Sequence, residues 1–165
     1  MVVPNELEES AFAVLRNQLP GFYVPDREQK RHVRDQLNIP HHLRSAFDAL
    51  LLKVASFENI TSSSDFVLVE IKVTRKYLPD LPKDPAGFFF GMTENEEMLL
   101  KVFGANAVLC LCSINPESEG YFLADWDTFQ GLNMNKRIQY QINIRGQNDR
   151  TPIHQGRRPS PLRRP

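Results

Sequence analysis

Long hydrophobic runs are absent from this sequence, and so is a surplus of charge of either sign. No apolar stretch approaches the ~18 residues that a membrane-spanning helix needs, so we expect a chain that does not cross a membrane. The start, MVVPNELEES, lacks a basic segment followed by an apolar one, so we see no secretory signal and expect a cytoplasmic location. The formal net charge of zero argues neither for nor against nucleic acid as a partner.

Cysteine is scarce, and several common site motifs are missing. Cys110 and Cys112 lie one residue apart in an apolar run, where same-face strand positions suit a disulfide poorly. We interpret them as reduced core residues rather than a metal or redox site. His41 and His42 have no cysteine or carboxylate at a recognised ligand spacing, which argues against zinc. Neither GxxxxGKS/T nor GxGxxG occurs, which excludes the usual phosphate-binding loops.

The chain has 165 residues, a length typical of a single domain. Helix signals recur along it. The first predicted helix is amphipathic and stops at Pro20-Gly21, the second is polar and reaches Asn38, and the third ends near Gly104. Each begins with a pair at capping-box spacing, namely Asn5 with Glu8, Asp26 with Gln29 and Thr93 with Glu96.

Strand signals alternate with these helices and predict an α/β fold. The runs at 47–54 (FDALLLKV) and 66–74 (FVLVEIKVT) read most economically as adjacent strands, although periodicity alone also allows a helix at 47–54. Between them lie a strand-like stretch, FENI, and a turn cluster, SSSD. Pro79, Pro82 and Pro85 predict a long loop. Further strands are predicted at 105–114, 121–124 and 137–144.

The end of the chain differs in composition from the rest. From Arg145 onward it holds six arginines against one aspartate, with many prolines and glycines and almost nothing to bury. We therefore predict one domain over residues 1–144 and a disordered Arg/Pro-rich tail over 145–165. The tail arginines could add sequence-independent attraction to phosphates.

The strand FVLVEIKVT carries Glu70 and Lys72 in its second half. Residues two apart in a strand share a face, so both charges lie on the face that carries Phe66 and Leu68. Burying either charge alone would cost several kcal/mol. Even a buried ion pair often stabilises a fold less than hydrophobic residues of similar size would. The charges therefore indicate either a functional need or an edge strand with one wet face.

A carboxylate and an ammonium at this spacing suit metal-assisted hydrolysis of a phosphodiester. Mg²⁺ takes hard oxygen ligands, and a neighbouring cation can polarise the attacking water. The second carboxylate ligand is best supplied by Asp48, which a strand would bring beside the Glu70 end of its neighbour. Glu58 and Asp65 are rivals, although Asp65 projects to the opposite face and suits the turn.

These residues carry a family resemblance. Asp48 in FDALLLK, followed by Glu70-Ile71-Lys72 in DFVLVEIKVTRK, resembles the Asp...Glu-x-Lys signature of the PD-(D/E)xK nuclease superfamily, to which many restriction enzymes belong. The stretch FFFGMTENEEMLL and the strand AVLCLCSI are similar to the helix and strand that follow this signature. The resemblance covers roughly residues 5–144. It implies a restriction-endonuclease-like mixed central β-sheet flanked by helices, with Asp48 and Glu70 as metal ligands and Lys72 orienting or activating water.

The resemblance also implies auxiliary acidic residues. The first helix of such domains sometimes adds an acid to the site, which would be Glu8 or Glu9 here. Glu96 matches an acidic or amide helix position near the metal. Glu96 also completes a capping box with Thr93, and the sequence leaves both roles open.

Nucleic-acid contacts are expected from basic and aromatic residues. Four basic residues of the second helix share a face that could touch phosphates, although an ordinary solvated face is the alternative. Phe88-Phe89-Phe90 could stack on bases or anchor the loop to the core, and the position before a helix favours the core. The candidate phosphate contacts are Arg27, Lys30, Arg31, Arg34, Arg75 and Lys76.

The sequence therefore predicts a Mg²⁺-dependent endonuclease, restriction-like, that hydrolyses phosphodiester bonds in DNA, with Mn²⁺ able to substitute. A symmetric duplex target favours a homodimer, because each subunit then meets one strand. The alternative is a non-catalytic nucleic-acid-binding or assembly domain that keeps the fold and uses Glu70 and Lys72 as a salt bridge.

Overall fold

The computed structural model describes residues 5–146, and their helices and strands form a five-stranded mixed sheet with helices on both faces. The helices are α1 Glu6–Gln18, α2 Arg27–Gln36, α3 Glu94–Phe103 and α4 Trp126–Gly131. The strands are β1 Phe22–Tyr23, β2 Ala49–Leu52, β3 Phe66–Thr74, β4 Ala107–Ser113 and β5 Gly120–Ala124. The described residues fall into two units that divide between Leu132 and Asn133, and the first unit contains all of these elements.

The sheet follows chain order, β1-β2-β3-β4-β5. Neighbouring strands are antiparallel except for β3 and β4, which are parallel. A parallel pair needs a crossover connection, and here the proline-containing loop and α3 supply it. In this central pair Glu70 lies opposite Leu109 and Lys72 opposite Leu111, so both charged residues sit on an inner strand.

Local capping explains where three of the helices begin. The side chains of Asn5, Asp26 and Thr93 each accept a hydrogen bond from the backbone amide three residues later. At Asp26 and Thr93 the reciprocal bond is also present, which completes a capping box. The three predicted helix starts are confirmed.

Alternation along the strands divides the core into two layers. One layer contains Leu50, Leu68 and Leu109 and packs against α2, α3 and α4. The other contains Val69 and Cys110 and packs against α1. Both cysteines are free and buried, as predicted, and burial raises the pKa of the Cys112 thiol to about 12. Among the residues described, no helix combines the length and apolar character that crossing a membrane requires.

Two strand predictions are wrong. The FENI segment is a 3-10 turn at Phe57–Asn59, in which the amides of Asn59 and Ile60 donate to the carbonyls of Ser56 and Phe57 instead of to a neighbouring strand. The segment 137–144 has no regular secondary structure. Its alternating apolar side chains are exposed, and within the described part of the chain no strand pairs with it. The predicted tail lies outside the described residues beyond position 146.

The loop between β3 and α3 has no helix or strand, as the prolines predicted. Leu81 fixes it to the core with no exposed surface. Phe88 and Phe90 are half-buried against the core and pack edge to face, whereas Phe89 is 85% exposed. Two of the three phenylalanines therefore anchor the loop, as expected.

Candidate active site

Asp48 is bound to β3 on both sides of Glu70. Its amide donates to the carbonyl of Val69 at 2.8 Å, and its Oδ2 accepts from the amide of Ile71 at 2.8 Å. Ala49 is also the register partner of Val69. Asp48, the residue immediately before β2, thus hydrogen-bonds to the same residue that lies opposite Ala49. The structure therefore brings Asp48 to the Glu70 end of β3, as predicted.

Glu70 and Lys72 lie on the same face of β3 and are in contact. The Lys72 Nζ is 3.2 Å from Glu70 Oε1. Glu70 is buried, with 5% of its surface exposed, and Lys72 is half-buried. The charges of Glu70 and Lys72 are not explained by a solvent-exposed edge strand, because β3 has a neighbouring strand on each side.

Glu96 performs both of the roles that the sequence left open. Its Oε2 accepts from the Thr93 amide at 3.0 Å, which completes the cap of α3. The same atom accepts from Lys72 Nζ at 2.7 Å. The capping box of α3 therefore also holds the lysine of the candidate site.

Glu8 of α1 and Lys30 of α2 bring further charge to Asp48. Burial, and then the charge of Asp48, raise the pKa of Glu8, and Lys30 opposes this shift. Lys30 donates to the Phe47 carbonyl at 3.2 Å. Burial lowers the pKa of Lys30, and the charges of Asp48, Glu8 and Glu70 partly offset that effect. Glu9 is exposed, so of the two α1 candidates the half-buried Glu8 is the better placed.

The cluster has more negative than positive groups. Burial is the main cause that raises the pKa of Glu70, to about 9, and the charges of Asp48 and Glu96 add to it against the opposing effect of Lys72. Burial and the two neighbouring acids therefore favour the protonated form of Glu70, and Lys72 favours the charged form. Burial alone would lower the pKa of Lys72, but its bond to Glu96 and the charge of Glu70 outweigh burial and raise it. Lys72 thus stays charged and pairs chiefly with Glu96.

The donor set fits a hard divalent cation. Four carboxyl groups, from Glu8, Asp48, Glu70 and Glu96, influence one another in pairs or act on the ammonium groups of Lys30 and Lys72. Within residues 5–146, no three acidic, histidine or cysteine side chains form a ready-made metal site. Mg²⁺ usually takes only one or two protein carboxylates and fills its other positions with water and substrate oxygens. Asp48 and Glu70 are the two carboxylates that could serve as such ligands.

The rival ligands lie elsewhere. Glu58 is exposed in the 3-10 turn that replaces the expected strand. Asp65 accepts from the amides of Thr61 and Ser62, and these hydrogen bonds lower its pKa. Asp65 therefore serves the turn, as predicted.

The six predicted phosphate contacts divide into exposed and half-buried groups. Arg27, Arg31, Arg75 and Lys76 are exposed. Lys30 and Arg34 are half-buried and lie 5.3 and 5.9 Å from the centre of the Phe47 ring. Sequence reasoning missed the position of Lys30 beside Asp48, because only tertiary packing brings α2 to the start of β2.

The comparisons with protein-family models, curated proteins and solved structures found no match to the chain. Support for a function therefore comes from the geometry of the cluster and from the residues that resemble the nuclease signature.

Proposed function

We propose that this protein is a Mg²⁺-dependent endonuclease of the PD-(D/E)xK type, with a restriction-endonuclease-like fold, that hydrolyses phosphodiester bonds in DNA. The observation that carries the proposal is the attachment of Asp48 to β3 at the residues on either side of Glu70, with Lys72 in contact with Glu70. Asp48, immediately before β2, is thus attached to β3 beside Glu70 and Lys72, at the point where the pairing of β2 with β3 ends.

Each residue has a defined task in this proposal. Asp48 and Glu70 would hold Mg²⁺ or Mn²⁺, with Glu8 as an auxiliary acid. When bound, the metal ion supplies Lewis-acid stabilisation of the phosphate charge and lowers the pKa of a coordinated water. Lys72 orients the attacking water through its ammonium hydrogens. Glu96 fixes Lys72 at 2.7 Å and keeps it charged.

Loss of the proton from Glu70 is part of metal binding in this scheme. Metal ligands must be deprotonated, so binding releases a proton wherever the ligand is protonated beforehand. Glu70 is held protonated by burial and by its acidic neighbours. A divalent cation held by Asp48 and Glu70 would take the place of that proton and would offset the negative charge of the acids.

The substrate and assembly follow from the same proposal. The exposed basic residues Arg27, Arg31, Arg75 and Lys76 would contact backbone phosphates. A homodimer would place one site on each strand of a symmetric duplex. Both the phosphate contacts and the homodimer are inferred from the resemblance to the nuclease superfamily.

A cleavage assay tests the proposal. Supercoiled plasmid, linear duplex and single-stranded RNA are incubated with the protein in Mg²⁺ or in a chelator, using wild type, Lys72→Ala and the exposed control Lys101→Ala. We expect metal-dependent cleavage of DNA that falls about 10²- to 10⁴-fold in Lys72→Ala and stays unchanged in the control. If folded wild type cuts no substrate in Mg²⁺ or Mn²⁺, the nuclease proposal is wrong.

The alternative function is a non-catalytic nucleic-acid-binding or assembly domain. The two contacts of Lys72, with Glu70 and with Glu96, favour it, because they would also stabilise a purely structural charge cluster. DNA binding without metal-dependent cleavage would support this alternative.

A further inference from the structure

The loop between β3 and α3 carries the exposed aromatic rings of the first unit. Among the phenylalanine, tyrosine and tryptophan residues of 5–132, Tyr77 and Phe89 are exposed, by 54% and 85%, and the others are buried or half-buried. Single exposed apolar residues scattered over a surface are ordinary. Two exposed rings in one loop, with none elsewhere in this unit, favour a binding surface.

The two neighbours of Phe89 anchor the backbone on both sides of it. Phe88 and Phe90 are half-buried against the core, and their ring centres lie 5.9 Å apart, edge to face. The Phe88 amide also donates to the Pro85 carbonyl at 3.0 Å. The exposed Phe89 ring therefore stands on a fixed backbone. Such a ring loses less conformational entropy when it binds a partner than a ring on a flexible segment would.

Lys76 places a positive charge beside the segment that carries Phe89. Its Nζ donates to the carbonyl of Gly87, two residues before Phe89, at 3.2 Å. Gly87 has a φ of +88°, which favours glycine, and a side-chain carbon there would lie 3.2 Å from Leu78 Cδ2 and 3.5 Å from Lys76 Nζ. The two parts of the loop that carry Tyr77 and Phe89 thus meet at Gly87, next to the Lys76 ammonium.

The loop is also connected to the candidate site. Phe89 precedes Thr93 by four residues, and four residues span at most about 14 Å. The Thr93 amide donates to Glu96 Oε2 at 3.0 Å, and the same oxygen lies 2.7 Å from Lys72 Nζ. Each nucleotide of a duplex strand extends the helix axis by about 3.4 Å, so Phe89 lies within a few nucleotides of this lysine.

We propose that Phe89 stacks on an unpaired base of the nucleic acid while Lys76 contacts a backbone phosphate, so that the substrate carries a single-stranded segment beside the cut. Aromatic rings on a positively charged surface bind single strands because every base offers a face for stacking. Inside a duplex both faces of a base are covered by its neighbours, so the ring needs an unpaired base. The inference rests on the proposed function for the class of its ligand. Stacking itself requires no metal and no cleavage.

Binding of single-stranded DNA in a chelator tests the stacking separately from catalysis. A fluorescent oligothymidylate and an abasic strand with the same number of phosphates are titrated with wild type, Phe89→Leu and Phe89→Trp. Leucine keeps an apolar side chain without a ring, whereas tryptophan keeps a ring face. Val102→Ala is the control, because Val102 is an apolar residue of α3 that is 56% exposed. Thermal melting checks that each variant is folded.

Removal of an aromatic ring that stacks on one base weakens binding about 5- to 150-fold. We expect a loss in this range for Phe89→Leu on oligothymidylate, and wild-type binding by Phe89→Trp and Val102→Ala. The loss should disappear on the abasic strand, which has no base to stack on. Equal affinity of Phe89→Leu and wild type for oligothymidylate would overturn the inference, and so would an equal loss on the abasic strand.

Salt dependence tests the phosphate contact of Lys76. Each phosphate contact to a single strand contributes about 0.7 to the slope of log K against log salt. We expect Lys76→Gln to lower the slope by this amount and the exposed control Lys101→Gln to leave it unchanged. A wild-type slope in Lys76→Gln would overturn the phosphate contact.

The outcome of the binding experiments is separable from that of the nuclease proposal. Weaker oligothymidylate binding by Phe89→Leu, in a protein whose wild type never cuts DNA, would support the stacking while the nuclease proposal fails. Cleavage of DNA by a wild type that binds no single strand would overturn the stacking while the nuclease proposal stands.

Discussion

Asp48 Oδ2 accepts a hydrogen bond from the amide of Ile71 at 2.8 Å, which ties the carboxylate to the strand of Glu70. This bond occupies one carboxylate oxygen, and in the proposed site the other would bind the metal ion. The position of Asp48 is therefore set by backbone bonds rather than by the flexible contacts of a surface side chain.

Asp48→Asn should separate metal binding from folding. The amide oxygen of asparagine can still accept from Ile71, so we expect the free energy of unfolding to change by less than about 1 kcal/mol. Metal-dependent cleavage should fall at least about 100-fold. Asp48→Ala, which also removes the acceptor, should cost about 1–3 kcal/mol of stability. Cleavage at the wild-type rate by folded Asp48→Asn would show that Asp48 is not a ligand.

Glu70→Gln should flatten the dependence of stability on pH. The ordinary pKa of a glutamate carboxyl is 4.5 and that of Glu70 in the folded protein is about 9, so the folded state binds the extra proton between these values. The contribution of the Glu70 carboxyl to the free energy of unfolding is fully present below about pH 4.5 and is lost as the pH rises through about 9. Between these two pH values the contribution of Glu70 lowers the free energy of unfolding by up to about 1.4 kcal/mol per pH unit.

Denaturant unfolding at several pH values without metal measures this effect. Glu58→Gln removes an exposed carboxylate with the same change of charge and is the matched control. Parallel pH profiles for wild type and Glu70→Gln would mean that Glu70 does not hold the proton.

Glu96→Gln should impair cleavage more than stability. Glutamine retains an oxygen that can accept from the Thr93 amide but loses the charge that pairs with Lys72. We expect activity to fall about 10- to 100-fold with a small change in melting temperature. Thr93→Ala should show the reverse, a stability loss of about 1 kcal/mol with most activity retained. If Glu96→Gln and Thr93→Ala changed activity and melting temperature to the same extent, the role of Glu96 would be to cap α3 and nothing more.

Lys30→Met should raise the pKa of Glu8 further. Lys30 lowers that pKa through its charge, and methionine keeps an apolar stem of similar length without the ammonium. A carbon-detected NMR titration of the Glu8 carboxyl measures the shift. Arg31→Met, on the exposed part of the same helix, controls for a general loss of positive charge. An unchanged Glu8 pKa in Lys30→Met would place Lys30 outside the cluster.

Local signals explain what the sequence predicted correctly. Capping residues act within one turn, so the starts of α1, α2 and α3 could be read directly. The alternation in β3 placed Glu70 and Lys72 on one face. A signal of the same kind marks the start of α4, where the Asp125 side chain accepts from the Thr128 amide, although the sequence prediction did not include this helix.

Non-local packing explains what the sequence did not predict. Strand β1 has only two residues and depends on its pairing with β2. The alternating segment 137–144 has the pattern of a strand without a pairing partner among the residues described. The attachment of Asp48 to β3 and the approach of Lys30 depend on contacts between distant segments, which periodicity cannot supply.

The most direct measurement is a crystal structure of the protein soaked in Mn²⁺, with the metal located by anomalous scattering. We expect one ion bonded to an oxygen of Asp48 and an oxygen of Glu70, at about the 2.0–2.1 Å expected for Mg²⁺. Lys72 should remain bound to Glu96 beside it. Two results at a saturating concentration of Mn²⁺ would contradict a metal-dependent nuclease site at this cluster. One is an ion bound elsewhere, and the other is no bound ion, with Glu70 still in contact with Lys72.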